Sequence, residues 1–331
     1  MTIIRAYALE RDAEGVAVLA GEVWHRPVPV QDILEHERTA PAGRIAVQLV
    51  AESGGVVAYG NAIRDPANPA GLFQVDVVVT AGHRRRGLGS ALLTRVERFA
   101  VEHGATRLGA VVPGFDEDTG TAFAARHGYR VVRRAYHSYL TVADVDPGLL
   151  AEPDPPGVEV TTLAALGDGE QARRTLWDVH ERTVPDMPGS RTAARRPYAE
   201  FAEAVLGRRW FRADGAFLAF AGGVAVGLAI VSFQPESDSM NHTFTGVLPE
   251  WRGRGVASAL KRATIRYARQ VGVATMRAGN DAANAPMLAI NARFGYQRRG
   301  GHVRLEKTVP PSPLPSPPDA GPPDAVPPIM N

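Results

Sequence analysis

The feature that most constrains this chain is an internal repeat. Arg84-Arg85-Arg86-Gly87-Leu88-Gly89-Ser90-Ala91-Leu92 returns 168 residues later as Arg252-Gly253-Arg254-Gly255-Val256-Ala257-Ser258-Ala259-Leu260. The same offset relates Gly54-Gly55 to Gly222-Gly223, Val79 to Val247, Phe99-Ala100 to Tyr267-Ala268 and Gly104 to Gly272, and an offset of 167 relates Gly128-Tyr129 to Gly295-Tyr296. A register held over about 75 positions implies two copies of one fold. A length of 331 residues independently suits two domains of about 150 residues each.

The repeat and the composition divide the chain into residues 1–143, a Pro-rich linker at 144–157, residues 158–308 and a Pro-rich tail at 309–331. The linker DVDPGLLAEPDPPG holds four prolines, and the tail has almost nothing to bury, so it reads as an extended or disordered arm. In the first copy, β-rich runs flank Gly54-Gly55, a hairpin signal. A helix starting at Gly87 then carries Leu88, Ala91, Leu92, Val96, Phe99 and Ala100 on one face, and its counterpart starting at Gly255 carries Val256, Ala259, Leu260, Ala263, Tyr267 and Ala268. Further strands and a helix close each copy, with two short strands expected at 129–133 and 136–142 and two near 296–299 and 302–307. The fold class is α+β: two tandem domains, each a mixed, mainly antiparallel sheet flanked by helices, and not a doubly wound order.

Composition removes several functions. With 45% apolar and 22% charged residues the chain is globular, and with no Cys it has no disulfide framework and no thiolate nucleophile. Nine dispersed His without a paired His-x-x-x-His give no metal site. A formal charge of +2 on scattered basic residues argues against a nucleic-acid partner. No run approaches 18 apolar residues, so no membrane span is expected, and the charged N-terminal stretch points to a cytoplasmic protein.

A loop that leaves a strand and opens a helix on Gly presents unpaired backbone N–H groups at the positive end of the helix dipole, where phosphate is the natural occupant. Gly87, Gly89 and Gly255 allow close approach of the main chain, Ala257 is the next smallest choice, and Arg84, Arg85, Arg86, Arg252 and Arg254 add charge. Neither loop has the Lys-Ser/Thr pair of a P-loop, and neither has the third small residue of the dinucleotide fingerprint, because Leu92 and Leu260 stand there.

Both loops resemble the coenzyme A pyrophosphate motif Gln/Arg-x-x-Gly-x-Gly/Ala of the GNAT superfamily of N-acetyltransferases, and the second copy, from Thr243 through Gly255 and from Asn280 to Tyr296, resembles tandem actinobacterial members. The resemblance implies acetyl-CoA as cosubstrate. It implies that the strands ending at Val79 and Val247 bind the pantetheine arm and that the two loops, including Gly253, Val256, Ser258, Leu88 and Ser90, hold the diphosphate. It also implies a primary amine, on a small molecule or a peptide, as acceptor.

Amine acylation needs a neutral amine. Deprotonating a Lys-like amine at neutral pH costs roughly 4 kcal/mol, whereas a thiol leaving group needs less help. The Tyr that the family often places four residues before its Gly-Phe/Tyr pair is Ala124 in the first copy and Asn291 in the second. The family's pantetheine-contacting Asn is kept as Asn284 but is Glu117 in the first copy. The second domain is therefore the favoured catalytic one, with Asn291, Thr245, His242 and Asp186 as candidates. Strand alternation places Thr243 and Thr245 opposite His242. Two alternatives stay open at this point: a non-catalytic acyl-CoA sensor, and a transferase with another acyl donor.

Overall fold

A computed structural model describes residues 2–25, 27–114, 117–187, 195–234 and 238–310. The Pro-rich tail from residue 311 lies outside the described residues. The described residues form two compact units, one within Met1–Val111, Ala122–Arg130 and 305–310, the other within Val112–Thr121 and Val131–Arg304.

Unit 1 carries β1 (Ile3–Ala6), α1 (Leu9–Trp24), α2 (Val30–Arg38), β2 (Ile45–Glu52), β3 (Val56–Arg64), β4 (Leu72–Val79), α3 (Leu88–Glu102), the start of β5 (Arg107–Pro113) and the end of α4 (Glu117–Arg126). Neighbouring strands β1 to β4 run antiparallel, and β5 lies parallel to β4. The hairpin expected at Gly54-Gly55 joins β2 to β3, and both glycines take positive φ. Leu92 and Val96 of α3 are buried, with Leu92 packed against Ala51, Val57 and Ala58 of the sheet.

Unit 2 carries β6 (Arg130–Thr141), α5 (Pro147–Ala151), β7 (Val158–Thr162), α6 (Glu170–Thr183), α7 (Tyr198–Phe201, continued by a π turn), β8 (Ala216–Ala221), β9 (Val224–Gln234), β10 (Ser239–Val247), α8 (Val256–Gln270), β11 (Thr275–Asp281), α9 (Ala285–Arg293) and most of β12 (Gln297–Thr308). Its strands follow the order β7-β8-β9-β10-β11-β6-β12, with only β10 and β11 parallel among the registers described. Helix α8 packs Val256, Leu260, Ile265 and Ala268 on one face of this sheet, with Phe217, Met240, Met276 and Ala278. Helix α6 packs Leu176 and Val179 on the other, with Leu218, Leu228, Ile230 and Phe244.

Three features differ from the sequence reading. Each pair of short closing strands is one 12-residue strand, β6 or β12. The units also do not follow the chain-order division at 143. Strand β6, assigned to the first domain, pairs with β11 in unit 2 from Ala135↔Asp281 to Thr141↔Thr275. The end of β12 completes unit 1, where Val309 donates its N–H to the Thr106 carbonyl and Lys307 pairs with Glu97 at 2.7 Å.

The third difference is the segment 144–157, which is not a free linker. Val145 and Leu150 are buried in the core under α8. A stripe of arginines on that helix holds the segment: Arg269 donates to the Val145 carbonyl at 2.6 Å and Arg266 to that of Leu150 at 2.8 Å. Arg262, with its side chain 3% exposed, meets Glu152 at 3.3 Å, Asp154 at 2.8 Å and the Pro153 carbonyl at 2.9 Å. Two acidic residues of this segment, Glu152 and Asp154, are the counter-charges of a buried guanidinium. Removing one partner of a buried ion pair strands the other charges. Arg262→Ala is therefore expected to cost about 3 kcal/mol of stability and to open 144–157 to proteolysis; unchanged denaturation and cleavage would contradict this.

Candidate active site in unit 2

The site begins where two strands stop pairing. β10 and β11 are joined only from Ser239–His242 to Thr275–Ala278. Beyond that point β10 continues to Val247 along β9, while β11 continues to Asp281 along β6. A cavity of about 750 Å³ occupies the opening, with the β10 residues from His242 to Val247 on one wall and Ala278, Gly279, Asn280 and Asp281 on the other. Backbone groups on the facing edges of the two strands have lost their ladder partners there, so an extended chain bearing amides can hydrogen-bond to them as a strand would.

A bulge between His242 and Phe244 shapes the wall. Before it, Met240 faces α8, and after it Phe244 faces α6, although the two have the same parity. The inserted residue reverses the alternation, so Thr245, which pairs with Ala229, returns to the α8 face that His242 shares through Val231. The expectation that Thr245 and His242 point to opposite faces is thus corrected. Gly246, on the α6 side, leaves room for Thr183, whose Oγ1 would collide with a Cβ there.

At the cavity mouth, β10 leads through a short turn at Pro249–Trp251 into α8. Gly253 (φ 73°) and Gly255 (φ 83°) adopt left-handed conformations that glycine takes without strain. Gly255 is the N-cap without a side-chain cap, and the first amide to close the helix is that of Ala259, bonding the Gly255 carbonyl at 3.0 Å. The amides of Val256, Ala257 and Ser258 therefore have no partner within the helix, and these residues, with Gly253 and Gly255, line the cavity. Arg252 and Arg254 are used differently from expectation. Arg252 lines the cavity but donates from Nε to the Val247 carbonyl at 3.0 Å and pairs with Asp186 at 2.5 Å, fixing the turn; Arg254 stacks on Trp251, 4.8 Å from the ring centroid.

Deeper in, Lys261 of α8 is buried yet lines the cavity. Its Nζ lies 4.9 Å from the centroid of the Tyr296 ring, and the Tyr296 hydroxyl is 2.6 Å from His242 Nε2. His242 Nδ1 is buried without a partner. Burial pulls the Lys261 ammonium down to about 7 and raises the Tyr296 phenol, while burial and the Lys261 charge hold His242 well below its usual value. At neutral pH the tyrosine is thus protonated, the histidine is neutral and the lysine is poised between its two forms.

Asn284 lines the cavity and caps α9, accepting the Met287 amide on Oδ1 at 3.3 Å. Asn291 is buried behind the wall, where Nδ2 donates to Oδ1 of the cavity-lining Asn280 at 2.6 Å. It positions a wall residue and does not itself line the opening. Of the candidates, Asp186, His242 and Thr245 are brought together; Lys261 was missed by sequence reasoning. Its signal lay in the repeat, because the position 168 residues earlier is Leu93: a lysine replaces a core leucine.

Unit 1 keeps the loop. Arg84 Nε donates to the Val79 carbonyl at 3.0 Å, Gly87 caps α3 at φ 82°, and the Ala91 amide bonds the Gly87 carbonyl at 3.0 Å. Arg85, in the place of Gly253, takes a left-handed φ of 63°. Arg86 precedes the cap and Leu88, Gly89 and Ser90 open α3, but a Cβ on Gly89 would sit 3.4 Å from the Phe123 ring and Ser90 Oγ is bonded to His127 at 3.0 Å. The end of α4 thus lies close over the loop, and Gln74, Leu93 and Ala124 stand where unit 2 has His242, Lys261 and Asn291.

A bulged strand, an opened sheet and a glycine-capped helix at its mouth define an acyl-CoA-type transferase fold. Residues 6–129 and 176–296 match the Acetyltransferase (GNAT) family, and the chain belongs to that family as a tandem N-acetyltransferase. Among its relatives, the mycothiol acetyltransferase of Geodermatophilus obscurus is 28% identical over 285 residues, covering 82% of this chain and 85% of the relative. That of Nocardiopsis dassonvillei is 29% identical over 315 residues, 86% of each. The fold is shared with a GCN5-related N-acetyltransferase from Sphaerobacter thermophilus (TM-score 0.71, 19% identity, 93% of this chain and 95% of that one). It is also shared with a tandem GNAT protein from the clavulanic acid biosynthesis pathway (TM-score 0.63, 23% identity, 95% and 100%). The GNAT family uses acetyl-CoA. Among the described residues no helix is long and apolar enough to cross a membrane, and no group of side chains could hold a metal ion.

The lysine also makes a stability prediction. Its folded value, about 7, lies below the unfolded 10.5, so the unfolded chain binds more protons between the two and stability rises with pH across that window. Lys261→Met is expected to be more stable than the parent, by roughly 2 kcal/mol or more at pH 6–7, with the gain shrinking toward pH 10. A pH-independent difference in denaturation would contradict the assignment.

Proposed function

We propose that unit 2 transfers the acetyl group of acetyl-CoA directly to a primary amine, with Lys261 as proton acceptor. The observation that carries this reading is the continuity of one cavity from the uncapped amides of α8, along the open edge of β10, to the buried Lys261. The diphosphate would sit on the amides of Val256, Ala257 and Ser258, and the pantetheine amides would pair with the β10 edge as far as Val247. The thioester would then lie beside the bulge, where a free β10 N–H can stabilise the oxyanion.

The acceptor ammonium releases one proton to solvent as it enters. Its nitrogen attacks the thioester carbonyl, Lys261 takes the second proton as the C–N bond forms, the C–S bond breaks, and the proton passes from Lys261 to the departing thiolate. A thiol near 8.5 readily takes a proton from a group near 7. No Cys exists to carry an acyl-enzyme. Lys261 thus supplies both proton steps that the missing tyrosine and a separate base would otherwise perform. Relatives named mycothiol acetyltransferase support acetyl transfer to an amine as the reaction class, and a panel of amines identifies the acceptor of this chain.

Calorimetry is expected to find about one acetyl-CoA per chain, abolished by Gly255→Glu and retained in Gly87→Glu. With an accepted amine, kcat/KM should rise through pH 7 as Lys261 loses its proton. Lys261→Met should lower kcat by about 10²- to 10⁴-fold and move the profile toward the acceptor's own pKa. Acetyl-CoA binding without thiol release to any amine would make the protein a sensor, and acetyl-protein forming before product would exclude direct transfer.

A further inference from the structure

The cavity passes through the sheet. On the α8 side it meets His242 and Ala278, and on the other side it meets Gly279, Asp281 and Arg133. That second side continues into a basic face. On β11, Met276 and Ala278 are buried, so Arg277 and Gly279 point away from α8; on β6, Ser138 and Leu140 are buried, so Arg133, His137 and Tyr139 share the outer face, and on β12 buried Val303 leaves His302 and Arg304 there. Arg277 Nη2 lies 3.2 Å and 3.1 Å from the two ring nitrogens of His137, whose ring centroid is 5.9 Å from that of His302. Gly279 joins face to cavity, since a Cβ there would lie 3.9 Å from His137 Cδ2.

Charge on this face is unbalanced. Arg133 pairs with Asp281 at 2.5 Å. Among the described residues, neither Arg277 nor Arg304 has a carboxylate partner. Arg277 is also partly buried, its guanidinium 5.9 Å from the centroid of the Tyr139 ring. His137 is pulled down to about 4 by burial, Arg277 and His302, so at neutral pH it accepts from Arg277 and leaves the other guanidinium donors free. A fixed guanidinium with open donors matches a carboxylate or a phosphate.

Register locates this group. Arg277 is paired with Asn241, one step before His242↔Ala278, the last pair before the sheet opens. An anion on Arg277 is therefore next to the point where the acceptor's nitrogen must meet the thioester. We propose that the Arg277–His137 face is the acceptor subsite and that the acceptor is an anionic amine, bearing a carboxylate or phosphate beside its reacting nitrogen. This rests on the catalytic reading of unit 2 and adds the acceptor's chemical class.

The test has a binding arm and a turnover arm. Glutarate and inorganic phosphate are titrated by calorimetry into the full chain saturated with acetyl-CoA. At least one should bind saturably, and Arg277→Gln should weaken it about tenfold or more; the anion preferred tells carboxylate from phosphate. No saturable binding of either, or binding unaffected by the substitution, overturns the proposal. For turnover, matched pairs are compared by thiol release: γ-aminobutyrate with its methyl ester, and O-phosphoethanolamine with ethanolamine. The anionic partner should have the lower KM, and Arg277→Gln should erase that difference; equal use by the parent overturns the proposal. Anion binding that depends on Arg277, with no amine acetylated, would leave the subsite standing and instead defeat the catalytic reading.

Discussion

Everything in the site depends on the parting of β10 from β11. A parallel pair that continued to Val247 would satisfy its own backbone, and there would be nothing for a ligand to bind between the strands. Because each strand keeps its outer neighbour, β9 or β6, the opening exposes backbone edges without loosening the sheet. The bulge at His242/Phe244 lies at the fork and does two things: it starts the divergence and it turns His242 and Thr245 to the same side. The helix that follows is then forced to begin at the mouth of the opening, so its bare amides and the strand edges form one surface.

The two copies separate what builds the loop from what lines the cavity beside it. Both keep an arginine whose Nε holds the last carbonyl of the central strand, and both keep a left-handed glycine at the helix N-cap. Those features build the turn. Unit 1, however, brings Phe123 against Gly89, has Leu93 and Gln74 in place of Lys261 and His242, and uses Arg85 where unit 2 has Gly253. The motif therefore persists where the residues at the His242 and Lys261 positions have changed.

Legibility in the sequence followed the range of the interactions. The repeat, the hairpin glycines, the amphipathic α3 and α8 and the two loops depend on local conformation and periodicity, and they could be read directly. The exchange of β6 and β12 between units depends on pairing between distant segments, which leaves no local trace. The segment 144–157 looked like a linker because of its four prolines; its partners, Arg262, Arg266 and Arg269, lie more than 100 residues away. Lys261 was hidden because a lysine in a helix is usually solvated, and the bulge because strand alternation carries no mark of an added residue. Asn291 was placed at the ligand by resemblance and Arg254 by the charge it adds to the loop; Asn291 donates to Asn280 and Arg254 stacks on Trp251.

The measurement that bears most directly on this account is a crystal structure of the full chain with acetyl-CoA. The account requires the pantetheine arm between β10 and β11, the diphosphate on the amides of Val256 to Ser258, and the thioester within reach of Lys261. Coenzyme held by unit 1 alone, or a thioester lying outside the fork of the two strands, would contradict it.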